Sequence, residues 1–155
     1  MPHGPFPGRS QEIWTPAGGP PQVKPPSGEI YPRMGQDNIL AMLRAVYKEI
    51  AGSPIRPMFA QDLAASAEKI GLYFVGLLGG PPLYQDRYGP PMLRKRHLPF
   101  PIDEPSRAVW LACFDRVLDR AVADFGFPAE HLPGFRHFLH VFSAWMVNVE
   151  PEAGE

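Results

Sequence analysis

"GGPPLYQDRYGPPMLRKRHLPFPIDEPSRAVWLACFDRVLD", residues 79–119, decides how the rest of the chain is read. Prolines at 81, 82, 90, 91, 99 and 101 leave room for only one or two short turns of helix. The best-placed turn is about 91–97, with proline at its start, where a missing N–H costs nothing. His97 stands at the end of that turn, Pro99 cannot continue it, and Leu-Pro-Phe-Pro stiffens the exit. Asp103, an N-cap residue type, then opens a long helix with Pro105 in its first turn. The apolar stripe of that helix runs through Trp110, Phe114, Val117, Leu118, Ala121, Val122 and Phe125.

The same helical period appears on both sides. Ile39, Met42, Leu43, Val46, Tyr47 and Ile50 recur at three- and four-residue steps from about Asp37, and Gly52-Ser53-Pro54 ends the run. A second helix covers about Asp62 to Leu78, with Leu63, Ala67, Ile70, Phe74 and Leu77 on one face, stopped by Gly79-Gly80-Pro81-Pro82. A last one spans about Pro128 to Val149, carrying Leu132, Phe135, Phe138, Leu139, Phe142, Trp145 and Met146. Few segments alternate with period two, so the domain, residues 34–150, is expected to be all-α, with four long helices and one or two short ones. Nine of the 21 prolines fall in residues 1–33, which therefore read as an extended N-terminal arm anchored at most by Ile13, Trp14, Ile30 and Tyr31.

With 155 residues, 45% of them hydrophobic, the chain can bury a real core. The formal net charge of −1 makes the basic run at 94–96 a local feature and argues against nucleic-acid binding, which usually needs a basic excess. A single cysteine, Cys113, excludes an internal disulfide and a cysteine-based zinc site. No apolar run approaches the roughly 18–20 residues of a membrane span, and the N-terminus lacks the build of a signal peptide. A cytoplasmic protein is the expectation.

Arg94, Lys95 and Arg96 beside His97 admit three readings: a grip on a phosphate backbone, the lining of an acidic substrate's pocket, or a cradle for an anionic cofactor whose metal the histidine ligates. Arg94 is one helical turn from His97 and can reach the same side, and a guanidinium fork matches carboxylates. A solvated basic turn with a half-buried histidine is the plainer alternative. Phe59, Tyr73, Phe74, Trp110 and Phe114 are more aromatics than a core of this size must have, enough to line one large flat cavity. Tyr47 and Trp110 each carry a polar tip on an apolar face, suited to a small polar ligand in that cavity or, as ordinary core aromatics, to backbone carbonyls. Cys113 reads as a small core residue. His131, His137 and His140 read as exposed helix residues, because the His137/His140 pair has no third ligand placed by sequence.

Residues 79–119 resemble the group II truncated haemoglobins, which share Gly-Gly-Pro, a spaced Tyr, a Pro-led Arg-x-Arg-His-x-Pro-Phe run and then Trp-Leu-x-Cys. "VYKEIAGSPIRPMFAQDL", residues 46–63, resembles that branch's aromatic pair, turn and Phe-x-x-Asp-Leu entry into the distal helix. The resemblance covers about 35–148. It implies a globin-like, truncated two-over-two helical sandwich binding haem b, with a pentacoordinate iron.

It further implies His97 as proximal ligand, Trp110 as the indole donor to the distal ligand, and Tyr47 as the hydroxyl donor to bound dioxygen. Phe59 would pack on the porphyrin, Ser66 would stand at the distal gate, and Ile70 would overhang the iron. Tyr73 and Phe74 would form the outer distal wall, Arg94 and Arg96 would lie near the propionates, and Tyr88 and Phe100 would complete the cofactor contacts. Phe59 stands where many members have Tyr, and Met92 where an arginine is common. The implied ligands are O₂, CO and NO. Two distal donors imply slow release, which favours NO oxidation, peroxide chemistry or sensing over oxygen delivery, with an external reductase for turnover; a homodimer is compatible. The alternative is a helical sensor or partner-binding module without haem catalysis.

Overall fold

The structure is a computed structural model that describes residues 12–151; residues 1–11, and with them His3 and the first third of the arm, lie outside the described residues. Eight α-helices are present among the described residues: α1 (Ile30–Met34), α2 (Gln36–Ala51), α3 (Leu63–Leu77), α4 (Leu83–Tyr88), α5 (Leu93–His97), α6 (Glu104–Leu118), α7 (Ala121–Phe125) and α8 (Leu132–Met146). No residue among them is in a strand. The layers are α2 on α3 and α6 on α8, with α2 crossing to α6. This is the expected two-over-two sandwich.

Local chemistry sets the helix ends. Asp62 caps α3 by accepting from the Ala65 N–H at 3.0 Å, and Asp103 caps α6 by accepting from the Ser106 N–H at 2.8 Å. Each such cap contributes about 1 kcal/mol. The α2 helix ends at Gly52, where the Ser53 hydroxyl takes up the Ile50 carbonyl at 2.7 Å. Its buried face, Ile39, Met42, Leu43, Val46 and Ile50, meets Phe74 and Val75 of α3 and Phe114, Val117 and Leu118 of α6. Phe114, Phe127 and Phe135 are among the largest fully buried side chains, each contributing roughly 1.5–3 kcal/mol by leaving water. Helices α2 and α3 touch closely at Gly71, where an added Cβ would lie 2.5 Å from the Leu40 Cδ2.

The boundaries differ from the sequence reading in three places. The stripe read as one helix from Asp103 to Phe125 is two, because Arg120 (φ −116°, ψ 6°) interrupts it and turns α7 aside. The bend seats Ala121 in the core and leaves Val122 exposed; a bend of this kind preserves the three–four spacing, so periodicity alone does not register it. The last helix starts at Leu132 and not near Pro128, since a 3₁₀ turn at Ala129–His131 precedes it. Residues 30–33, read as arm, are helical, and Ile30 is fully buried.

The arm itself docks. The Trp14 N–H donates to the Asn148 carbonyl at 2.9 Å and the Tyr31 N–H to the Leu78 carbonyl at 2.9 Å. No helix among the described residues is long and apolar enough to cross a membrane.

Candidate functional site

A cavity of about 450 Å³ opens between the two layers, within the size range of cofactor pockets. Helix α2 supplies Tyr47; the turn after it supplies Phe59; α3 supplies Ser66, Ile70, Tyr73 and Phe74. The opposite wall is His97 from α5, Phe100 from the proline-rich exit, and Trp110 and Phe114 from α6. Helix α8 closes the floor with Phe138, Phe142 and Met146. The rings interlock: Tyr47 meets Phe59 edge-on at 5.8 Å, Tyr73 meets Phe74 edge-on at 5.7 Å, and Trp110 lies 4.6 Å from Phe114. Arg56 fixes the turn that carries Phe59 by donating to the Ala60 carbonyl at 3.1 Å and the Gln61 carbonyl at 2.9 Å.

His97 has a defined ring orientation. Its Nδ1 lies 2.6 Å from the Leu93 carbonyl, a pure acceptor, so Nδ1 is the donor of that bond and, among the described residues, Nε2 is the ring nitrogen not spent on the protein. A metal-ligating histidine typically donates its other ring N–H to a carbonyl in this way. No group of three or more His, Cys, Asp or Glu that could hold a metal ion occurs among the described residues. A metal at His97 therefore needs a carrier that fills its other coordination positions, as a porphyrin does.

Two donors face the cavity. Among the described residues, no protein group accepts from the Tyr47 hydroxyl or the Trp110 indole N–H, and neither atom is sealed away. Burial pushes the Tyr47 hydroxyl up to about 12 and raises that of Tyr73 as well. Both phenols are thus firmly protonated donors near neutrality.

Three residues expected at the cofactor lie off the cavity wall. The Arg94 guanidinium turns to the end of α8, donating to the Trp145 and Val147 carbonyls, the latter at 2.8 Å, and to the Trp14 carbonyl at 2.8 Å. It also lies 4.5 Å over the Trp145 ring. The cause is plain: the last turn of a helix presents carbonyls without intrahelical partners, and these attract a cation. Arg96 donates to the Tyr88 and Pro90 carbonyls at 3.4 and 3.2 Å, bracing the chain before α5. Tyr88 packs on Tyr84 at 5.1 Å, under the Lys69 ammonium at 4.7 Å.

The cations that do reach the wall are Lys69 and Arg107, neither singled out by the sequence. Arg107 is held by the Ser143 hydroxyl at 2.9 Å, by the Glu104 carboxylate at 3.1 Å and by the His140 carbonyl at 2.6 Å. Their signal is helical phase: Lys69 is three residues after Ser66, and Arg107 three before Trp110.

Outside the cavity, Cys113 is fully buried, and burial pushes its thiol up while Arg116 pulls the other way. His131 pairs with Glu29 at 3.0 Å. His137 and His140 are exposed on α8.

This geometry has counterparts among known proteins. The model of the bacterial-like globin family matches residues 13–148, starting well inside the stretch read as arm. The group 2 truncated hemoglobin YjbI of Bacillus subtilis is 38% identical over 90 residues, which is 57% of this chain and 68% of that protein. Among solved structures, phosphate-bound Hell's gate globin IV superposes with a TM-score of 0.77 at 30% identity, covering 85% of this chain and 82% of its own. The group II truncated hemoglobin of Bacillus anthracis gives 0.72 at 31% identity, covering 84% of this chain and 98% of its own. An all-helical two-over-two sandwich around an aromatic cavity, matched along most of its length, makes the chain a haem-binding member of the bacterial-like globin family, in the group II truncated haemoglobin branch.

Proposed function

We propose that the cavity holds haem b, iron protoporphyrin IX, with the Nε2 of His97 as the protein's ligand to iron. The observation that carries this reading is the bond from His97 Nδ1 to the Leu93 carbonyl, which leaves Nε2 as the ring nitrogen not spent on the protein, on a wall of the aromatic cavity. Haem supplies coordination of a diatomic gas and a one-electron redox change at iron. The chain lacks the C-x-x-C-H run of covalent attachment, which favours the b form.

The residues divide the remaining work. Phe59, Ile70, Phe74 and Phe100 exclude water and offer flat apolar surface to a macrocycle. Tyr47 and Trp110 donate hydrogen bonds to the polar end of O₂, NO or another small ligand, with Ser66 and Tyr73 as further hydroxyls on the same wall. Each such bond in a dry site contributes about 1–3 kcal/mol, which slows release. Lys69 and Arg107 bring positive charge to the propionates, while Arg94 and Arg96 act through the backbone carbonyls they hold. Tight retention of a gas suits NO or peroxide chemistry, or sensing, better than oxygen delivery, and turnover draws electrons from an external reductase. The test is the visible spectrum: the purified protein is expected to be coloured or to take up added hemin with a Soret band. A colourless chain that leaves hemin in solution overturns the reading.

A further inference from the structure

The most deeply buried polar side chain of the described residues lies outside the cavity wall. That residue is Asn148, just past α8, fully buried. Its amide nitrogen donates to the carbonyls of Phe100 at 3.1 Å and His97 at 3.4 Å. Its side-chain oxygen accepts from the Ile102 N–H at 3.0 Å, and its own N–H donates to the Ile102 carbonyl at 2.9 Å. One asparagine thus holds both ends of the 97–102 turn. Its carbonyl in turn accepts from the Trp14 N–H at 2.9 Å, so the arm seals the turn on its outer side. Arg94 then joins the arm to α8 by donating to the Trp14, Trp145 and Val147 carbonyls and to the Thr15 hydroxyl at 3.3 Å.

We propose that Asn148, with Arg94 and the docked arm at Trp14, is a positioning brace that fixes the direction of the His97 imidazole. The physical case starts from how little else restrains α5. That helix is five residues long and has no buried side chain, so it cannot hold its own orientation by burial. Isolated helices of that length are unstable. What packs α5 is α8, and the hydrogen bonds between them run through Arg94 and Asn148. A buried amide with both its ends engaged specifies one arrangement, because any rotation leaves a desolvated donor or acceptor unpaired. Apolar contact by itself would hold α5 near the cavity; the brace sets which way its C-terminal end faces, while Arg96 ties its start to the Tyr88 and Pro90 carbonyls. An arm that begins more than eighty residues away in sequence is thereby part of the proximal side of the site.

This inference rests on His97 being the iron ligand, and the experiment separates the two. The full-length, hemin-loaded protein is compared with Asn148→Leu, which keeps the branched heavy-atom shape and removes the side-chain hydrogen bonds, and with Asn148→Asp, which keeps the acceptor for Ile102 and loses both donations. Two readouts are taken: the iron–histidine stretching band of the ferrous protein, and amide hydrogen exchange residue by residue. The expectation for Asn148→Leu is a shifted or broadened band and about tenfold or greater acceleration of exchange at Phe100 and Ile102, with the Val46 and Val75 amides of the core at wild-type rates. Asn148→Asp gives the band change with less acceleration at Ile102. An unchanged band, or acceleration spread evenly over core and turn, overturns the brace. If Asn148→Leu fails to fold, Asn148→Asp and Arg94→Met carry the same readouts, and wild-type behaviour in both overturns it equally. A wild-type protein that binds hemin without an iron–histidine band overturns the ligand assignment, and the exchange rates still decide whether Asn148 holds the turn.

Discussion

The imidazole Nδ1 of His97 and the carbonyl oxygen of Leu93 lie 2.6 Å apart across one turn of α5. The bond makes Nδ1 the donor and leaves Nε2 as the ring nitrogen that can reach iron. His97→Gly therefore removes the proposed ligand without disturbing the cavity's other walls. In hemin-loaded protein the iron–histidine band is expected to disappear and to return, at the frequency of free imidazole, when imidazole is added. A band that survives the substitution moves the ligand to another residue.

Tyr47 and Trp110 approach the cavity from opposite layers, α2 and α6, and neither donor is spent on the protein. Tyr47→Phe and Trp110→Phe each delete one donor at small cost in volume. Each is expected to speed O₂ dissociation by roughly five- to a hundredfold, matching about 1–3 kcal/mol. The double variant measures whether the two act on the same ligand: a combined effect smaller than the product of the singles shows that each donor's contribution depends on the other, and one larger than the product shows that one substitutes for the other. Stopped-flow release rates at wild-type values remove the donor role.

Much of this site is legible in the sequence because helical phase and resemblance report the same residues. Tyr47, Phe59, Ile70, Phe74, His97 and Trp110 all stand on the cavity wall; helical phase puts Tyr47, Ile70, Phe74 and Trp110 on the inner faces of α2, α3 and α6, while the resemblance is what singles out Phe59 and His97. The cations escape such a reading for a physical reason. A long guanidinium goes where carbonyls lack partners, and sequence order does not reveal that the end of α8 and the arm converge on Arg94. Asn148 is invisible for the same reason: nothing local distinguishes an asparagine that ends a helix in solvent from one that is fully buried. The kink at Arg120 escapes because the apolar stripe keeps its spacing across the bend.

Lys69 and Arg107 differ in what else holds them. Arg107 is tied to Ser143, Glu104 and the His140 carbonyl, whereas Lys69 is exposed, over the Tyr88 ring. Lys69→Met is therefore expected to raise the rate of hemin loss severalfold with little change in thermal stability. Arg107→Met is expected to raise hemin loss and also to lower thermal stability, because it removes the bonds to the Ser143 hydroxyl, the Glu104 carboxylate and the His140 carbonyl. Equal rates of hemin transfer to an acceptor globin for wild type and Lys69→Met would remove Lys69 from the propionate set.

Gly79 combines a left-handed backbone, φ +106°, with the closest approach of the arm: an added Cβ would stand 2.1 Å from the Gly28 carbonyl oxygen. Both obstacles are main chain, so no side-chain rotation relieves them. Gly79→Ala is expected to destabilise the fold by about 2–4 kcal/mol and to loosen the arm near the Tyr31–Leu78 hydrogen bond. Chemical denaturation measures the first effect and exchange of the Tyr31 amide the second; a wild-type midpoint contradicts the close contact between the arm and the end of α3.

Alkaline unfolding isolates Tyr47. Burial lifts its hydroxyl from 10.0 to about 12, so in the folded chain the proton is held through a pH range in which the unfolded chain releases it. The group's stabilising contribution is complete below about pH 10 and is lost as pH rises from 10 through 12, because there the native state binds more protons than the unfolded one. The full loss amounts to something on the order of 2 kcal/mol. Tyr47→Phe has no proton to lose, so its unfolding free energy between pH 9 and about 12 should fall less steeply than that of the wild type, by about that amount at the top of the range. The remaining slope belongs to the other phenols, Tyr73 among them, whose hydroxyl is raised in the same direction. Parallel pH profiles for the two proteins would show that the Tyr47 hydroxyl is not held in the dry wall of the cavity, and the case for it as a distal donor would fall with that result.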